Sequence, residues 1–253
     1  MYIFQVGNHF RIFLAAAFLV VAIPGHSQEL SADNYSSEFI WGVNKNTAGG
    51  LIGGFVLRKS KKINDKLYES YGLELMNVKH PLESQVRTAT GNTVIFGKTN
   101  YLYAIRLQYG RELVLFRKAP QQGVEIKLNA AIGPSIGLHA PYYIEFIKDG
   151  GLNSVREQYN PNKHTLNCSG SANCIIGTGY IFQGIQESNI KIGANLKTSL
   201  SFELGTSKSN VTGFEAGFLL DAYAGDIELM PTAPENKNVF PTAFITLFYG
   251  NRR

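Results

Sequence analysis

A serine and a histidine, Ser135 and His139, are of the types that acyl transfer uses, with the serine as nucleophile and the histidine as its base. Such chemistry also needs a group that orients the histidine and donors that hold the oxyanion. The sequence offers neither at a defined spacing from this pair. Gly133, Pro134 and Gly137 surround the serine, and the backbone needs of a turn or a β-bulge explain them without catalysis. We therefore predict no catalytic residues.

Cys168 and Cys174 are the second candidate for chemistry, and only Ser169–Asn173 separates them. In an oxidising compartment, two cysteines this close form a disulfide that closes a small loop. A zinc site would need further cysteine or histidine ligands, and His164 alone lies nearby. The sequence therefore predicts a disulfide in an exposed loop, and neither a metal site nor a cofactor.

The N-terminus indicates the compartment in which the rest of the chain folds. Arg11 precedes the apolar run Ile12–Ile23, and Pro24–Ser27 supplies small residues of the kind that signal peptidase reads. The run is shorter than the roughly 20 apolar residues that a membrane-spanning helix needs. We predict a signal peptide over residues 1–27 and an exported domain over residues 28–253.

The composition fits one packed domain, because 44% of the residues are hydrophobic and 17% are charged. The net charge of +5 is modest, and its densest cluster, Arg58–Lys62, lies between two strand candidates. We interpret this cluster as a solvated turn and predict no nucleic-acid partner. No apolar run after residue 28 is long enough for a transmembrane helix, so the domain is either an exported soluble protein or a β-barrel.

Alternation of apolar and polar residues is the main structural signal. From Ile192 to Gly205, one face is apolar and the other carries glycine, lysine, serine and glutamate. Side chains on a strand point alternately to opposite faces, so this segment separates an apolar environment from a polar one. An even number of such strands is typical of bacterial barrels. Eight segments carry the pattern: Glu38–Asn44, Gly49–Arg58, Leu67–Val78, Thr99–Tyr109, Gly123–Ile136, Ile192–Leu204, Val211–Ala222 and Val239–Tyr249.

The connections between these segments alternate in length, as short periplasmic turns and long extracellular loops do in outer-membrane barrels. Within the connection Gly110–Gln122, the segment Arg111–Lys118 fits either a continued strand or a short interfacial helix. With both termini at one end, the turns at that end are Lys59–Lys66, Gly110–Gln122 and Gly205–Asn210. The opposite connections are the brief Lys45–Ala48 and the longer Lys79–Lys98, Gly137–Asn189 and Tyr223–Asn238.

A soluble barrel such as a lipocalin also alternates, but its apolar face points inward. The polar faces here carry charges of both signs, and buried charges persist only when they are paired and hydrogen-bonded. We therefore predict that the apolar faces meet lipid and that ion pairs fill the lumen, which leaves no diffusion pore. Further strands within Gly137–Asn189 would widen the barrel and reverse this last prediction. The predicted lumen charges are Glu38, Glu74, Arg106, Glu125, Lys127, Lys197, Glu203, Glu215 and Asp221.

The last segment ends on an aromatic residue, as the assembly signal of outer-membrane proteins does, although Gly250–Arg253 follows Tyr249. With Gly123–Lys127, Gly133–Leu138 and Pro141–Tyr143, this ending resembles small outer-membrane β-barrel proteins of the Bacteroidota, most of them of undefined function. The resemblance spans most of the mature chain. It implies an all-β fold, an eight-stranded antiparallel up-and-down transmembrane β-barrel with long extracellular loops, located in the cell outer membrane.

We therefore expect a non-enzymatic outer-membrane protein with a filled lumen, whose extracellular loops or partner surfaces serve recognition or assembly. Its expected partners are outer-membrane lipid, the barrel-assembly machinery and other envelope proteins. The alternative is an outer-membrane hydrolase or acyltransferase that modifies lipid A, in which Ser135 and His139 would act together.

Overall fold

The computed structural model describes residues 35–118, 123–148, 151, 153–168, 173–180, 182–204, 209–231 and 237–253. These residues form strands and connecting segments, which include a turn of 3-10 helix at Ile185–Glu187. In this part of the chain, no helix has the length and apolar composition needed to cross a membrane. The predicted signal peptide, residues 1–27, lies outside the described residues.

Eight strands close into an antiparallel barrel whose wall follows chain order, and the first strand pairs with the last. In chain order the strands are β1 (Ser37–Asn46), β2 (Gly50–Lys62), β3 (Leu67–Val78), β4 (Gln85–Arg87), β5 (Thr93–Ile95), β6 (Asn100–Phe116), β7 (Glu125–Pro141), β8 (Tyr143–Ile147), β9 (Ser154–Gln158), β10 (Cys174–Thr178), β11 (Asn189–Leu204), β12 (Asn210–Ile227) and β13 (Lys237–Arg252). The wall consists of β1, β2, β3, β6, β7, β11, β12 and β13, which correspond to the eight predicted segments. The predicted eight-stranded up-and-down barrel is confirmed.

Two segments predicted as turns belong to strands. β2 continues through the whole cluster Arg58–Lys62, and Arg58 is buried inside the barrel, so the interpretation of this cluster as a solvated turn is wrong. β6 continues to Phe116, so the helical alternative for that connection is also wrong. Antiparallel pairing explains the extension of β6, because Glu112 lies opposite Tyr68 near the start of β3.

The two ends of the barrel differ, as predicted. We call the end that holds Ser37 and Arg252 the terminal end, and the other the loop end. The terminal end has short connections over residues 63–66, 117–124 and 205–209. The loop end has one short connection, residues 47–49, and longer ones over residues 79–99, 142–188 and 228–236.

The two longest connections contain short strands that the sequence pattern does not predict. β4 and β5 form a hairpin, and β10, β8 and β9 form a three-stranded antiparallel sheet. These strands are only three to five residues long, which is too short for alternation to identify them. We call residues 79–99 and 142–188 the loop platform. Its apolar core consists of Val94, Tyr142, Ile144, Phe146, Tyr159 and Ile175.

Candidate functional site: a charged lumen beneath a loop platform

The outer wall of the barrel is apolar. Ile132, Leu196 and Leu247 are 60%, 55% and 67% exposed, although each lies well inside its strand. A continuous apolar surface of this kind marks contact with a membrane or another protein. The outward direction predicted for the apolar faces is confirmed. Other exposed apolar residues of the wall are Phe39, Trp41, Val43, Phe55, Leu57, Tyr71, Leu75, Leu107, Tyr109, Leu128, Ile192, Leu200, Phe218, Leu220, Ile245 and Tyr249.

Aromatic residues lie on the wall toward both ends of the barrel. Near the loop end, Tyr101 and Tyr103 stack with ring centroids 5.6 Å apart, and Phe182 packs on Tyr103 at 6.1 Å. Tyrosine suits a membrane interface, because its ring is apolar and its hydroxyl needs water. Toward the terminal end, three cross-strand pairs are in ring contact: Trp41 with Tyr249, Tyr71 with Tyr109, and Phe202 with Phe214.

The lumen contains charged side chains that water hardly reaches. Each of the nine predicted lumen charges is at most 7% exposed, so their inward direction is confirmed. Charges buried to this degree destabilise a protein unless partners of opposite sign compensate them. The described residues provide these partners in a series of ion pairs along the barrel.

The first part of this series runs from the loop end to the middle of the lumen. Arg106 Nε donates to Asp221 Oδ1 at 2.9 Å, and Arg106 Nη1 lies 3.4 Å from Glu74 Oε2. The other oxygen of Glu74 accepts from Lys197 Nζ at 2.6 Å. Lys197 also lies 3.1 Å from Glu215. Glu74 therefore links two cations, Arg106 and Lys197, and Lys197 links two carboxylates, those of Glu74 and Glu215.

The series continues through Arg58. Its Nη1 lies 2.7 Å from Glu215, and its Nε lies 3.0 Å from Glu112. Hydroxyl groups also donate to these carboxylates: Ser60 donates to Glu112 at 2.8 Å, and Ser199 donates to Glu215 at 2.6 Å. Each of these carboxylates therefore has both a cation and a hydroxyl donor beside it, which is the compensation that a buried charge needs.

A second cluster closes the terminal end around Arg252. Its Nε lies 2.7 Å from Glu38, its Nη2 lies 2.9 Å from Glu125, and Nη2 also pairs with Glu203. Lys127 bridges two of the same carboxylates, at 3.0 Å from Glu38 and 3.3 Å from Glu125. The last residues of the chain are therefore part of the lumen network.

Sequence reasoning missed three of these charged residues. Arg58 belongs to the cluster interpreted as a solvated turn, Glu112 falls in the predicted turn Gly110–Gln122, and Arg252 follows the predicted last strand. The signal that identifies them is parity: continuing the alternation of β2, β6 and β13 by a few residues places all three on inward faces.

Side chains fill the lumen between and above these charges. A cavity of about 10 Å³ remains among Arg58, Gln108, Asn129 and Lys197, room for at most one water molecule. At the loop end, an apolar cluster lies above the ion pairs. It contains Met76, Val78, Leu102, Ala104, Tyr223, Ile227, Leu229 and Phe240.

The structure does not bring Ser135 and His139 together as a nucleophile and its base. The Ser135 hydroxyl is fully buried, donates to Asp221 at 3.0 Å and accepts from the Asn195 amide at 3.1 Å. His139 Nε2 lies 2.8 Å from the Glu228 carbonyl oxygen at the loop end. Ser135 therefore belongs to the hydrogen-bond network around the Arg106–Asp221 pair.

Close strand contact explains the glycine before this serine. A Cβ atom on Gly133 would lie 1.9 Å from the Leu107 carbonyl oxygen, so only glycine fits between β6 and β7. The following residue, Pro134, has no N–H to donate to a neighbouring strand. The glycine of this motif therefore has a structural cause.

Cys168 and Cys174 form the predicted disulfide, at the start of β10. His164 precedes them, but its ring has other partners: Nδ1 accepts from the Asn160 N–H at 3.0 Å, and Nε2 lies 3.2 Å from Glu157. Burial lowers the pKa of His164 below its ordinary value. Among the described residues, no three potential metal ligands of the His, Cys, Asp and Glu types are grouped together.

Hydrogen bonds join the two connections that build the loop platform. The Ile176 carbonyl oxygen accepts from the Thr88 hydroxyl at 3.2 Å, the Thr90 hydroxyl at 2.7 Å and the Asn92 amide at 2.8 Å. These three donors lie on the β4–β5 hairpin and its turn, whereas Ile176 lies on β10. The hairpin and the three-stranded sheet are therefore one assembly.

A buried ion pair lies beneath this assembly. Lys98 Nζ lies 2.7 Å from Glu83 Oε1, and both side chains are almost fully buried. The ammonium group also stands 4.4 Å from the centre of the Tyr101 ring. Burial lowers the pKa of Lys98, whereas the Glu83 carboxylate opposes this shift. The pair holds the start of the platform against the aromatic residues at the barrel rim.

No protein-family model matches the chain, and no curated protein matches it. Among solved structures, Ail, the attachment invasion locus protein of Yersinia pestis solved with the heparin analogue sucrose octasulfate, is 10% identical with a TM-score of 0.41 over 87% of this chain and 99% of Ail. Neisserial surface protein A, NspA, is 13% identical with a TM-score of 0.36 over 88% of this chain and 100% of NspA. Neither similarity assigns a function or a location to this chain.

Proposed function

We propose that the chain is an integral outer-membrane β-barrel protein that is not an enzyme, with a sealed lumen and a loop platform that serves recognition or assembly. The main support is the distribution of polarity across the barrel wall. Apolar side chains cover the outside, whereas charged side chains fill the inside. A water-soluble barrel needs the opposite arrangement, because the hydrophobic effect favours an apolar interior.

Backbone hydrogen bonding supports the same proposal. In the hydrocarbon region of a bilayer no water can pair with exposed N–H and C=O groups, so a sheet must close on itself. The pairing of β1 with β13 provides this closure. By the orientation that bacterial barrels share, the terminal end faces the periplasm and the loop platform faces the cell exterior.

The lumen has a structural role in this proposal. An eight-stranded barrel has an interior that side chains can fill, and Arg58, Arg106 and Arg252 are among the large side chains that occupy it. Their ion pairs join strands on different sides of the barrel. We therefore propose no transport of solutes through the lumen.

The loop platform is the part of the chain that suits a partner. Tyr180 is 69% exposed, and the Arg156 guanidinium stands 4.0 Å from the centre of its ring. Tyrosine and arginine are the residue types that most often anchor protein interfaces. The partners we propose are other envelope proteins for the platform, outer-membrane lipid for the wall, and the barrel-assembly machinery for insertion.

Membrane fractionation tests the proposed location and fold together. The protein is expected in the outer-membrane fraction after a urea wash, with a faster-migrating band in unheated gel samples than in boiled ones. Recovery in the soluble periplasmic fraction, without heat-dependent migration, would contradict the proposal.

Photocrosslinking in native membranes tests the role of the platform. A photoreactive residue at Tyr180 is expected to give a discrete crosslinked product, whereas one at Asn64, in a turn at the terminal end, is expected to give a different product or none. Identical patterns from both positions would contradict a role specific to the platform.

A further inference from the structure

The barrel wall has a notch at the loop end, where β13 extends beyond its neighbour β1. β1 ends at Asn46, whereas β13 begins at Lys237. On its other side, β13 pairs with β12, with Val239 opposite Ala222. Among the described residues, the first part of β13 therefore has no strand partner on the β1 side. Pro241 lies in this unpaired edge, and proline is one of the residues that keep such edges from pairing with other strands.

A cavity of about 520 Å³ occupies this notch. Ile227, Leu229 and Phe240 line its inner side and are at most 9% exposed. Leu82 and Val239 line its outer side and are 58% and 39% exposed. The lining is therefore largely apolar and continues onto the outer wall of the barrel. A concave site of this character favours an apolar occupant.

Two ionisable side chains, Lys79 and His80, also line the cavity. Lys79 forms no ion pair within the described part of the chain. The acidic residue nearest to it in the chain, Glu83, binds Lys98 at 2.7 Å and the His80 N–H at 2.9 Å. His80 Nδ1 accepts from the Leu82 N–H at 3.2 Å, which leaves Nε2 as the ring nitrogen that carries the proton. The cavity thus offers one uncompensated cation and one N–H donor.

We infer that the notch binds an acyl chain of an anionic lipid from the outer leaflet, and that Lys79 and His80 contact the phosphate of its headgroup. This inference rests on the proposed membrane location. Lipid is the occupant that fits, because the cavity opens at the loop end of the apolar wall, where the proposed membrane meets water. Lipid surrounds the wall at this depth. A cation near a membrane surface favours anionic headgroups over zwitterionic ones.

Fluorescence quenching by brominated lipids tests the inference. The chain contains one tryptophan, so Leu82→Trp in a Trp41→Phe background places the only tryptophan at the cavity. The protein is reconstituted into phosphatidylcholine vesicles that contain a small fraction of phosphatidylglycerol or phosphatidylcholine with brominated acyl chains. We expect brominated phosphatidylglycerol to give half-maximal quenching at a mole fraction about fivefold lower than that of brominated phosphatidylcholine. One lysine near the membrane surface favours an anionic headgroup by about this factor.

A matched pair of lysine variants identifies the source of this preference. Lys79→Gln is expected to remove it, whereas Lys61→Gln, an exposed lysine near the terminal end, is expected to retain it. Val239→Trp in the same background gives a second probe of the cavity if the Leu82→Trp protein does not fold. Equal quenching by both brominated lipids, no quenching, or a preference that survives Lys79→Gln would overturn the inference.

The wild-type protein separates this failure from failure of the proposed function. Trp41 lies on the outer wall, distant from the notch along β1, and is expected to be quenched by either brominated lipid. Quenching of Trp41 without a preference at the cavity overturns the lipid site alone. Absence of quenching at Trp41 overturns the membrane location and, with it, the lipid site.

Discussion

The Arg106 guanidinium on β6 donates to the Asp221 carboxylate on β12 at 2.9 Å, and the two residues lie 115 positions apart in the chain. β6 and β12 are not neighbours in the wall, since β7 and β11 lie between them. Their pair therefore spans the lumen and joins two sides of the barrel. The side chains are 1% and 0% exposed, so the pair is removed from water.

Loss of this pair is expected to destabilise the barrel. Arg106→Ala leaves Asp221 buried without its main partner, and breaking a buried pair in this way lowers the free energy of unfolding by about 3–5 kcal/mol. Urea titration of the protein in lipid vesicles measures the change. Arg111→Ala is the matched control, because Arg111 pairs with Glu69 on the exposed face. An exposed pair contributes about 0–1 kcal/mol, and equal losses in both variants would contradict the assigned role of the lumen pair.

Charge on the outer wall is expected to destabilise the barrel according to depth. Leu196 lies in the middle of β11 and Leu204 at its terminal end, and both are exposed. In a bilayer, Leu196→Arg should cost about 2–4 kcal/mol, whereas Leu204→Arg near the interface should cost about 0–1 kcal/mol. Unfolding in vesicles of one lipid composition measures both values. Two small and equal losses would indicate that water, rather than lipid, surrounds the wall.

The disulfide is expected to stabilise the loop platform without affecting the barrel. Replacing Cys168 and Cys174 together by serine opens the small loop that they close, which removes about 2 kcal/mol of local stability in the chain-entropy model. Faster tryptic cleavage after Lys163 is the expected result, because this lysine is exposed and lies in the same connection. Heat-dependent gel migration is expected to remain. Unchanged cleavage would show that the disulfide does not restrain the platform.

The pKa of His164 is expected below 6.5, because burial penalises its charged form. The unfolded connection then binds the proton more readily than the folded one. Neutral His164 therefore contributes its full stabilisation to the folded platform above pH 6.5. This contribution is lost as the pH falls from 6.5 through the pKa of the folded state.

Glu157→Gln provides the check on that assignment, because Glu157 opposes the lowering of the His164 pKa. NMR titration of the imidazole should give a lower pKa in this variant than in the wild type. A higher pKa in the variant, or a wild-type value above 6.5, would show that His164 is not buried as described.

Much of the barrel could be predicted from the sequence, because alternation extends over long strands and each barrel strand has one apolar and one polar face. The ion-pair partners of Glu74 and Glu215 could not, since they depend on which strands face one another across the lumen. Arg58 and Arg252 were missed because strand ends carry few alternating positions. The platform strands were missed for the same reason, and their packing depends on contacts between distant connections.

The contact of the outer wall with lipid is tested most directly at Trp41, the single tryptophan of the chain, which is 50% exposed on β1. The wild-type protein is reconstituted into vesicles whose lipids carry bromine at one defined depth along the acyl chain. The structure predicts strong quenching of Trp41 by acyl-chain bromine and little quenching by iodide in the aqueous phase. Quenching by aqueous iodide, with none by brominated lipid, would contradict the assignment of this barrel to a membrane.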